Sequence, residues 1–396
     1  MVGQASVFCQ LLQVFSRVRF AQLVKKHGTE HGSKGFSSWT QFVAMLFCHL
    51  AQAKSLREIC DGLRSCEGRL IHLGIAKSPS RSTLSYANEH RSWGLYEDLF
   101  YETLAQCRLI APAKKFRFKN KLLSIDATVI DLCLNLFPWA QFRTTKGAVK
   151  LHLLLDHDGY LPTYVWIREA AVHEIHFARS LDLPAGSIVA MDMGFTDYEL
   201  YGRWTKNGIW FVTRQKENAI YDVVEACRVP KNRNIVSDEI IKLRGFYAGR
   251  DCPERLRRIV VLDKEKGEDI VLLTNILHFG STTIAAIYKD RWQIEIFFKA
   301  LKQNLKVKTF VGTSENALKI QIWTALIAML LLKYLQFKSR IKWSLSNLVF
   351  LLQRNLFTYR ILWDWLDHPF ATPPLQPKPV QLRLPMPGLG QHVVKS

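Results

Sequence analysis

Apolar positions recur at helical spacing through the first 110 or so residues. Thr40–Gln52 (TQFVAMLFCHLAQ) predicts one helix. Ser55 followed three residues later by Glu58 is a capping-box pattern and predicts a second helix, ending near Gly62. Ser80-Arg81-Ser82-Thr83-Leu84 opens a third, Thr83–His90. A helical pair leading to a Ser/Arg/Thr-rich helix start resembles a helix-turn-helix, although any small helical bundle reads the same way. From Leu122 the period shortens. Leu122–Val129 (LLSIDATV), Val149–Leu155 and Tyr160–Ile167 predict strands, the last two joined by the turn His157-Asp158-Gly159. A helix over Glu174–Leu181, a strand over Ser187–Met191, a helix over Thr196–Thr205 and a strand over Ile209–Thr213 follow. Three meander strands and two strands entered through helices predict an α/β unit. Residues 218–280 then predict a β-rich insertion, with strands at Ile240–Tyr247, Arg257–Leu262 and Ile270–Ile276 and turns at Gly249 and Lys266-Gly267. A helix from near Thr283 to about Asn304 and a buried-type helix over Ile320–Tyr334 complete the pattern. Residues 369–396 hold seven of the 14 prolines and predict an extended tail.

Composition narrows the class. At 396 residues and 48% hydrophobic, the chain can bury a large core, which excludes wholesale disorder. The formal charge is +20, from 54 Lys+Arg against 34 Asp+Glu, and nucleic acid is the commonest polyanion for such an excess. Residues 1–121 alone carry 18 basic against 8 acidic residues. The run Lys114-Lys115-Phe116-Arg117-Phe118-Lys119-Asn120-Lys121 reads equally as a phosphate-contacting arm or as a solvated linker. The eight cysteines contain no Cys-x-x-Cys pair, so reduced thiols in a cytoplasmic protein fit best. His173 and His176, three apart, read as surface or capping residues more readily than as a metal site. The most apolar stretch, thirteen residues from Ile320 to Leu332, is too short to span a bilayer. Ala5–Phe15, interrupted by Gln10 and Gln13, is not a secretory signal. The basic charge therefore points to nucleic acid and not to a membrane.

The candidate chemistry lies in carboxylates. Tyr288, Arg291, Glu295 and Lys302 are spaced by three, four and seven residues, within roughly 60° of one another on a helix surface. Ile294, Phe297, Phe298, Leu301 and Leu305 form an adjoining arc that predicts packing on a sheet. Taken alone, Arg291 and Glu295 read equally well as a surface ion pair worth about 0.3–0.5 kcal/mol. Asp126 lies between Ile125 and Ala127 in an apolar strand, where a carboxylate is costly unless paired or metal-bound. Asp192 directly follows another strand. Strand ends in open α/β sheets are where ligands bind. Three acids there suit hard cations such as Mg²⁺, two of which clamp the attacking and leaving oxygens of a phosphoryl transfer.

Tyr288-x2-Arg291-x3-Glu295-x6-Lys302 resembles the Tyr-Arg-Glu-Lys signature of bacterial DDE insertion-sequence transposases of cut-and-paste type. SIDATVIDL around Asp126 and Asp192-Met193-Gly194-Phe195 resemble the regions of that family's two aspartates. The resemblance implies a ribonuclease-H-like catalytic domain over 114–217 and 281–340, interrupted by the β-rich insertion 218–280. A helical DNA-binding domain, 1–113, precedes it, and a helical segment with the Pro-rich tail, 341–396, follows. It implies Asp126, Asp192 and Glu295 as catalytic metal ligands for two Mg²⁺, with Mn²⁺ able to substitute. Tyr288, Arg291 and Lys302 become DNA contacts. The implied partners are double-stranded DNA, as the element's terminal repeats and as target, and a second copy of the chain in a synaptic dimer, at the bacterial nucleoid. Some relatives form a DNA hairpin and stack a flipped base on an aromatic ring of the insertion. This chain has no Trp between Trp210 and Trp292, which leaves the adjacent pair Phe246 and Tyr247 for that role. A catalytically inactive DNA-binding regulator and a ribonuclease-H-like nuclease are the alternatives.

Overall fold

The computed structural model of the chain describes residues 5–66, 68–143, 146–231, 233–265, 267–304 and 310–371. Leu305, Lys266 and most of the Pro-rich tail fall outside them. The described strands are β1 (Leu122–Leu132), β2 (Gln141–Arg143), β3 (Lys146–Asp156), β4 (Leu161–Glu169), β5 (Ile188–Met191), β6 (Trp210–Arg214), β7 (Tyr221–Ala226), β8 (Ile235–Leu243), β9 (Leu256–Asp263) and β10 (Glu268–Thr274). All ten belong to one sheet. Its first half runs β4-β3-β1-β5-β6, with β3 antiparallel to β1 and to β4, and β5 and β6 parallel to β1. This is the strand order and direction of the ribonuclease-H fold, and the parallel steps are made through helices, as such connections require.

The insertion continues this sheet and is not a separate body. β10 pairs antiparallel with β6, Thr274 opposite Val212, and β9, β8 and β7 follow in turn. Two readings of this region need correction. The edge strand β7 was not anticipated, because Asp222 and Glu225 break its apolar pattern. The predicted strand Ile240–Tyr247 ends as β8 at Leu243, and Phe246–Asp251 is a short helix. A Cβ at Gly249 would stand 2.9 Å from the Leu243 carbonyl oxygen, so glycine is what lets this helix fold back on the strand end.

The helices meet around Glu315–Lys338, longer than the predicted Ile320–Tyr334. This helix is apolar enough to cross a membrane by length and composition, but 83% of its most apolar window is buried inside the protein. Being apolar on all sides, it needs cover on all sides. Helices Ser38–Leu50, Arg81–His90, Gly94–Arg108 and Leu345–Asn355 supply it. One cluster of buried side chains joins Phe42 and Phe100, Leu326 and Leu330, and Leu151 and Leu153 of β3. The N-terminal helices, predicted as a unit of their own, thus share a core with the sheet.

Local signals are mostly honoured. Ser55 Oγ accepts the Glu58 N–H at 3.1 Å, while Glu58 Oε2 accepts from Lys54 N at 2.8 Å, one residue before the position a standard capping box uses. Helices Leu56–Arg64 and Arg81–His90 are separated by residues 65–80, which contain a 3₁₀ turn at Leu70–Leu73. That exceeds the three- or four-residue turn of a tight helix-turn-helix. His173 Nδ1 accepts the Ile175 N–H at 3.2 Å at the start of helix Ile175–Ser180, a capping role. All eight cysteines are unpaired. The run 114–121 is pinned by its own residues: Phe116 stacks on Phe118, which packs against Phe279, and Lys121 Nζ lies 2.6 Å from Asp156 Oδ2.

Candidate active site

The sheet register brings the two aspartates together. In the parallel pair β1–β5, Leu123 stands opposite Val189 and Ile125 opposite Met191. The next residues are Asp126 and Asp192. Asp126 within β1 and Asp192 just past β5 therefore stand at the same level of adjacent strands, and neighbouring strands lie about 4.8 Å apart. Strand alternation puts Leu123 and Ile125 into the core beneath helices Ile175–Ser180 and Tyr198–Lys206. Ser124 and Asp126 therefore face the other side, where helices Ser281–Asp290 and Trp292–Asn304 pass.

Those two helices were predicted as one. The break falls at Arg291, whose N–H is shared between the carbonyls of Ile287 and Tyr288, both at 3.2 Å. Across the break, Tyr288, Arg291 and Lys302 reach the middle of β1 and the residue after β5. Tyr288 O–H donates to Asp192 Oδ1 at 3.4 Å. Arg291 is buried, with Nη2 donating to Glu295 Oε1 at 2.8 Å and Nη1 lying 3.7 Å from Asp126 Oδ2. Lys302 Nζ donates to the Val129 carbonyl of β1 at 2.7 Å. An ion pair does join Arg291 to Glu295. It is not a surface pair, because Arg291 is only 7% exposed and also faces Asp126.

Electrostatics decide what kind of place this is. Burial pushes the Asp126 carboxyl up to about 6, and the negative charges of Glu295 and Asp192 push the same way. The Ala127 N–H and Arg291 pull it back without prevailing. Burial likewise raises the Tyr288 phenol to about 12, so it remains a donor at neutral pH. Arg291 Nε is buried without a hydrogen-bond partner. Asp126 is held as a carboxylate at a cost, with the Arg291 guanidinium between it and Glu295.

A cleft of about 390 Å³ opens beside Asp126 and Glu295, and Lys299, Lys302 and Gln303 also line it. Lys299 is exposed and follows Glu295 by one helical turn, a spacing that would have flagged it. Arg214, the last residue of β6, was also missed; it acts electrostatically on Tyr288. Among the described residues no three acids, histidines or cysteines are close enough to form a ready metal-ligand set. Their chemistry nevertheless fits a hard cation: oxygen donors only, an Asp126 carboxylate destabilised by its neighbours, and Arg291 providing the positive charge between Asp126 and Glu295.

Residues 117–331 match the model of the transposase DDE domain. The chain belongs to the DDE transposases. It is an enzyme of the bacterial insertion-sequence type, acting as a DNA transposase. Residues 3–76 match a second family, described only as a domain of unknown function, DUF4372. A putative transposase of Sinorhizobium fredii is 29% identical over 287 residues, 72% of this chain and 79% of its own length. A probable transposase for insertion sequence element IS5377 of Geobacillus stearothermophilus is 28% identical over 72% of this chain and 74% of its own. A solved piggyBac transposase synaptic complex with hairpin DNA overlaps 93% of this chain and 81% of its own at 10% identity. Its TM-score of 0.44 is too low to weigh on chemistry.

Proposed function

We propose that this DDE transposase binds the terminal inverted repeats of an insertion sequence, cleaves the DNA there and joins the freed 3′-OH to target DNA. The observation that carries this reading is the register that sets Asp126 beside Asp192 while Arg291 and Glu295 face Asp126 from the helix. In cleavage, a water oxygen attacks phosphorus, the P–O3′ bond breaks, and the leaving oxygen takes a proton. In joining, that 3′-OH attacks a target phosphorus and a target 3′ oxygen leaves. Asp126, Asp192 and Glu295 would hold two divalent ions, Mg²⁺ or Mn²⁺, which supply Lewis-acid charge at the attacking and leaving oxygens. Tyr288 orients the Asp192 carboxylate. Arg291 balances the charge of Asp126 and Glu295. Lys299 and Lys302, lining the cleft, draw the DNA backbone toward Asp126.

The same reading assigns DNA contact to the basic N-terminal helices. It assigns a synaptic dimer to the reaction, because two ends must be cut together, and places the work on bacterial chromosomal DNA. Phe246 and Tyr247, 79% and 68% exposed, are set edge to face, with Arg250 over the Tyr247 ring. We assign them to stacking a flipped base beside a hairpin end. Changing both to Ala is expected to lower the hairpin yield at least fivefold in gel assays; a normal yield removes them from this role.

The test of the function is product analysis. Purified protein with Mg²⁺ and DNA carrying the element's ends should yield free 3′-OH ends and then joined products. Hydrolysis without joining would mark a nuclease. Tight binding to the ends without cleavage would mark a regulator of transposition.

A further inference from the structure

Beneath the site lies a hydrogen-bonded chain that the reaction does not use directly. Ser124 Oγ is 2.7 Å from His157 Nε2, and His157 Nδ1 is 2.7 Å from Asp290 Oδ2. All three side chains are buried: Ser124 and His157 are 0% and 1% exposed, and Asp290 is 2%. Lys115 Nζ also pairs with Asp290, and the Tyr160 hydroxyl donates to it at 3.3 Å. Tyr160 holds a left-handed backbone, φ 51°, uncommon for any residue with a side chain. Burial works against the Asp290 charge. The bonds from His157 and Lys115 outweigh it and hold the carboxyl below its usual range. Ionised Asp290 can only accept, so His157 Nδ1 donates to it, while Nε2 is hydrogen-bonded to the Ser124 hydroxyl.

The Ser–His–Asp order and distances match those of a nucleophilic triad. Burial excludes that chemistry, since no substrate reaches a hydroxyl without exposed surface. What the chain joins is more telling. Ser124 precedes Asp126 by two residues on β1 and faces the same side. Asp290 immediately precedes Arg291 and lies one helical turn and a residue before Glu295. His157 follows β3. The network therefore ties the strand that carries Asp126 to the helix junction that carries Arg291 and Glu295.

We infer that Ser124, His157 and Asp290 are positioning residues that set the helix Trp292–Asn304 against β1, and so fix where Glu295 and Arg291 stand relative to Asp126. The inference rests on the catalytic reading of those three residues. A buried carboxylate with three donors admits few alternative placements, because any shift of the helix would leave a charge unpaired in the core. Hydrophobic contacts alone tolerate sliding far better. Reacting groups misplaced by about 1 Å lose on the order of 10²-fold in rate.

The test uses full-length protein and element-end DNA. Asp290→Asn keeps the volume and loses the charge; Ser124→Ala removes one link. Both are expected to keep the far-UV circular dichroism of the wild type and to bind DNA within twofold. Single-turnover cleavage should slow about 20-fold in Asp290→Asn and less in Ser124→Ala. The Mn²⁺ concentration for half-occupancy, read by electron paramagnetic resonance without any turnover, should rise at least threefold in Asp290→Asn. The double variant should be no slower than Asp290→Asn, since both changes act through His157. Wild-type cleavage and wild-type Mn²⁺ binding in Asp290→Asn would overturn the inference. If Asp290→Asn does not fold, the same wild-type behaviour in Ser124→Ala overturns it. Glu295→Ala is run alongside. An inactive Glu295→Ala beside a normal Asp290→Asn removes only the positioning network, whereas an active Glu295→Ala removes the catalytic reading beneath it as well.

Discussion

Asp126→Ala, Asp192→Ala and Glu295→Ala are each expected to reduce cleavage of element-end DNA by about 10³-fold or more, with the dissociation constant for that DNA within about threefold of wild type. A 10³-fold loss corresponds to about 4 kcal/mol of transition-state stabilisation. That is the scale of removing a group that acts only when charge develops at the reacting centre. Binding should survive for a different reason. The contacts that draw DNA in are cationic, and deleting a carboxylate removes repulsion from a phosphate backbone instead of attraction. Lys302→Ala gives the opposite split: weaker binding with a shallower salt dependence and a smaller effect on the chemical step. The measurements are single-turnover cleavage and equilibrium binding at two salt concentrations on the same preparations. Cleavage persisting within tenfold of wild type in any of the three acid variants would remove that residue from the site.

The parts of this site differ in how visible they are from the chain alone. The stripe on the helix was legible, because spacing at 3.6 residues per turn converts directly into direction. Asp126 was legible because its flanking residues are apolar and its cost is local. The meeting of Asp126 with Asp192 was legible only through the family resemblance. It depends on the register of two strands whose aspartates stand 66 positions apart in the chain (192 − 126), and a one-residue slip would turn Asp126 to the opposite face. Asp290 was invisible for a related reason. An acid near the end of an amphipathic helix reads as ordinary solvent-facing charge, and only His157, Lys115 and Tyr160, brought in from distant segments, make it a buried anchor. The short helix at Phe246 was missed because Val/Ile-rich sequence continues up to Leu243 and nothing apolar marks where the strand stops. The shared core escaped notice because charge and composition suggest domain borders, while the burial of Glu315–Lys338 on every side is a fact of packing.

Asp126→Asn should make the metal-free protein more stable at pH 8, by about 1–3 kcal/mol, and this gain should disappear toward pH 4. Two effects oppose each other at this carboxylate. Arg291 and the Ala127 N–H favour the charged form; burial and the charges of Glu295 and Asp192 disfavour it. The second group wins: burial above all holds the carboxyl up at about 6, well above the usual carboxylate range. The sign follows from linkage. The folded state holds the proton more tightly than the unfolded state, so deprotonation destabilises the fold progressively between about pH 4 and pH 6, and fully above that. Two pKa units correspond to an upper figure of roughly 3 kcal/mol. Asparagine never ionises, keeps an oxygen for the Ala127 N–H, and leaves Arg291 paired to Glu295 at 2.8 Å. Urea denaturation of both proteins at pH 8 and pH 4, with chelator present, measures the difference directly. Adding Mn²⁺ at pH 8 should then narrow the gap, because an ion that binds only the folded wild type stabilises it by mass action. An asparagine variant no more stable than wild type at pH 8 would mean that Arg291 fully compensates Asp126. The acids would then be a satisfied structural cluster, with no charge deficit for a cation to fill.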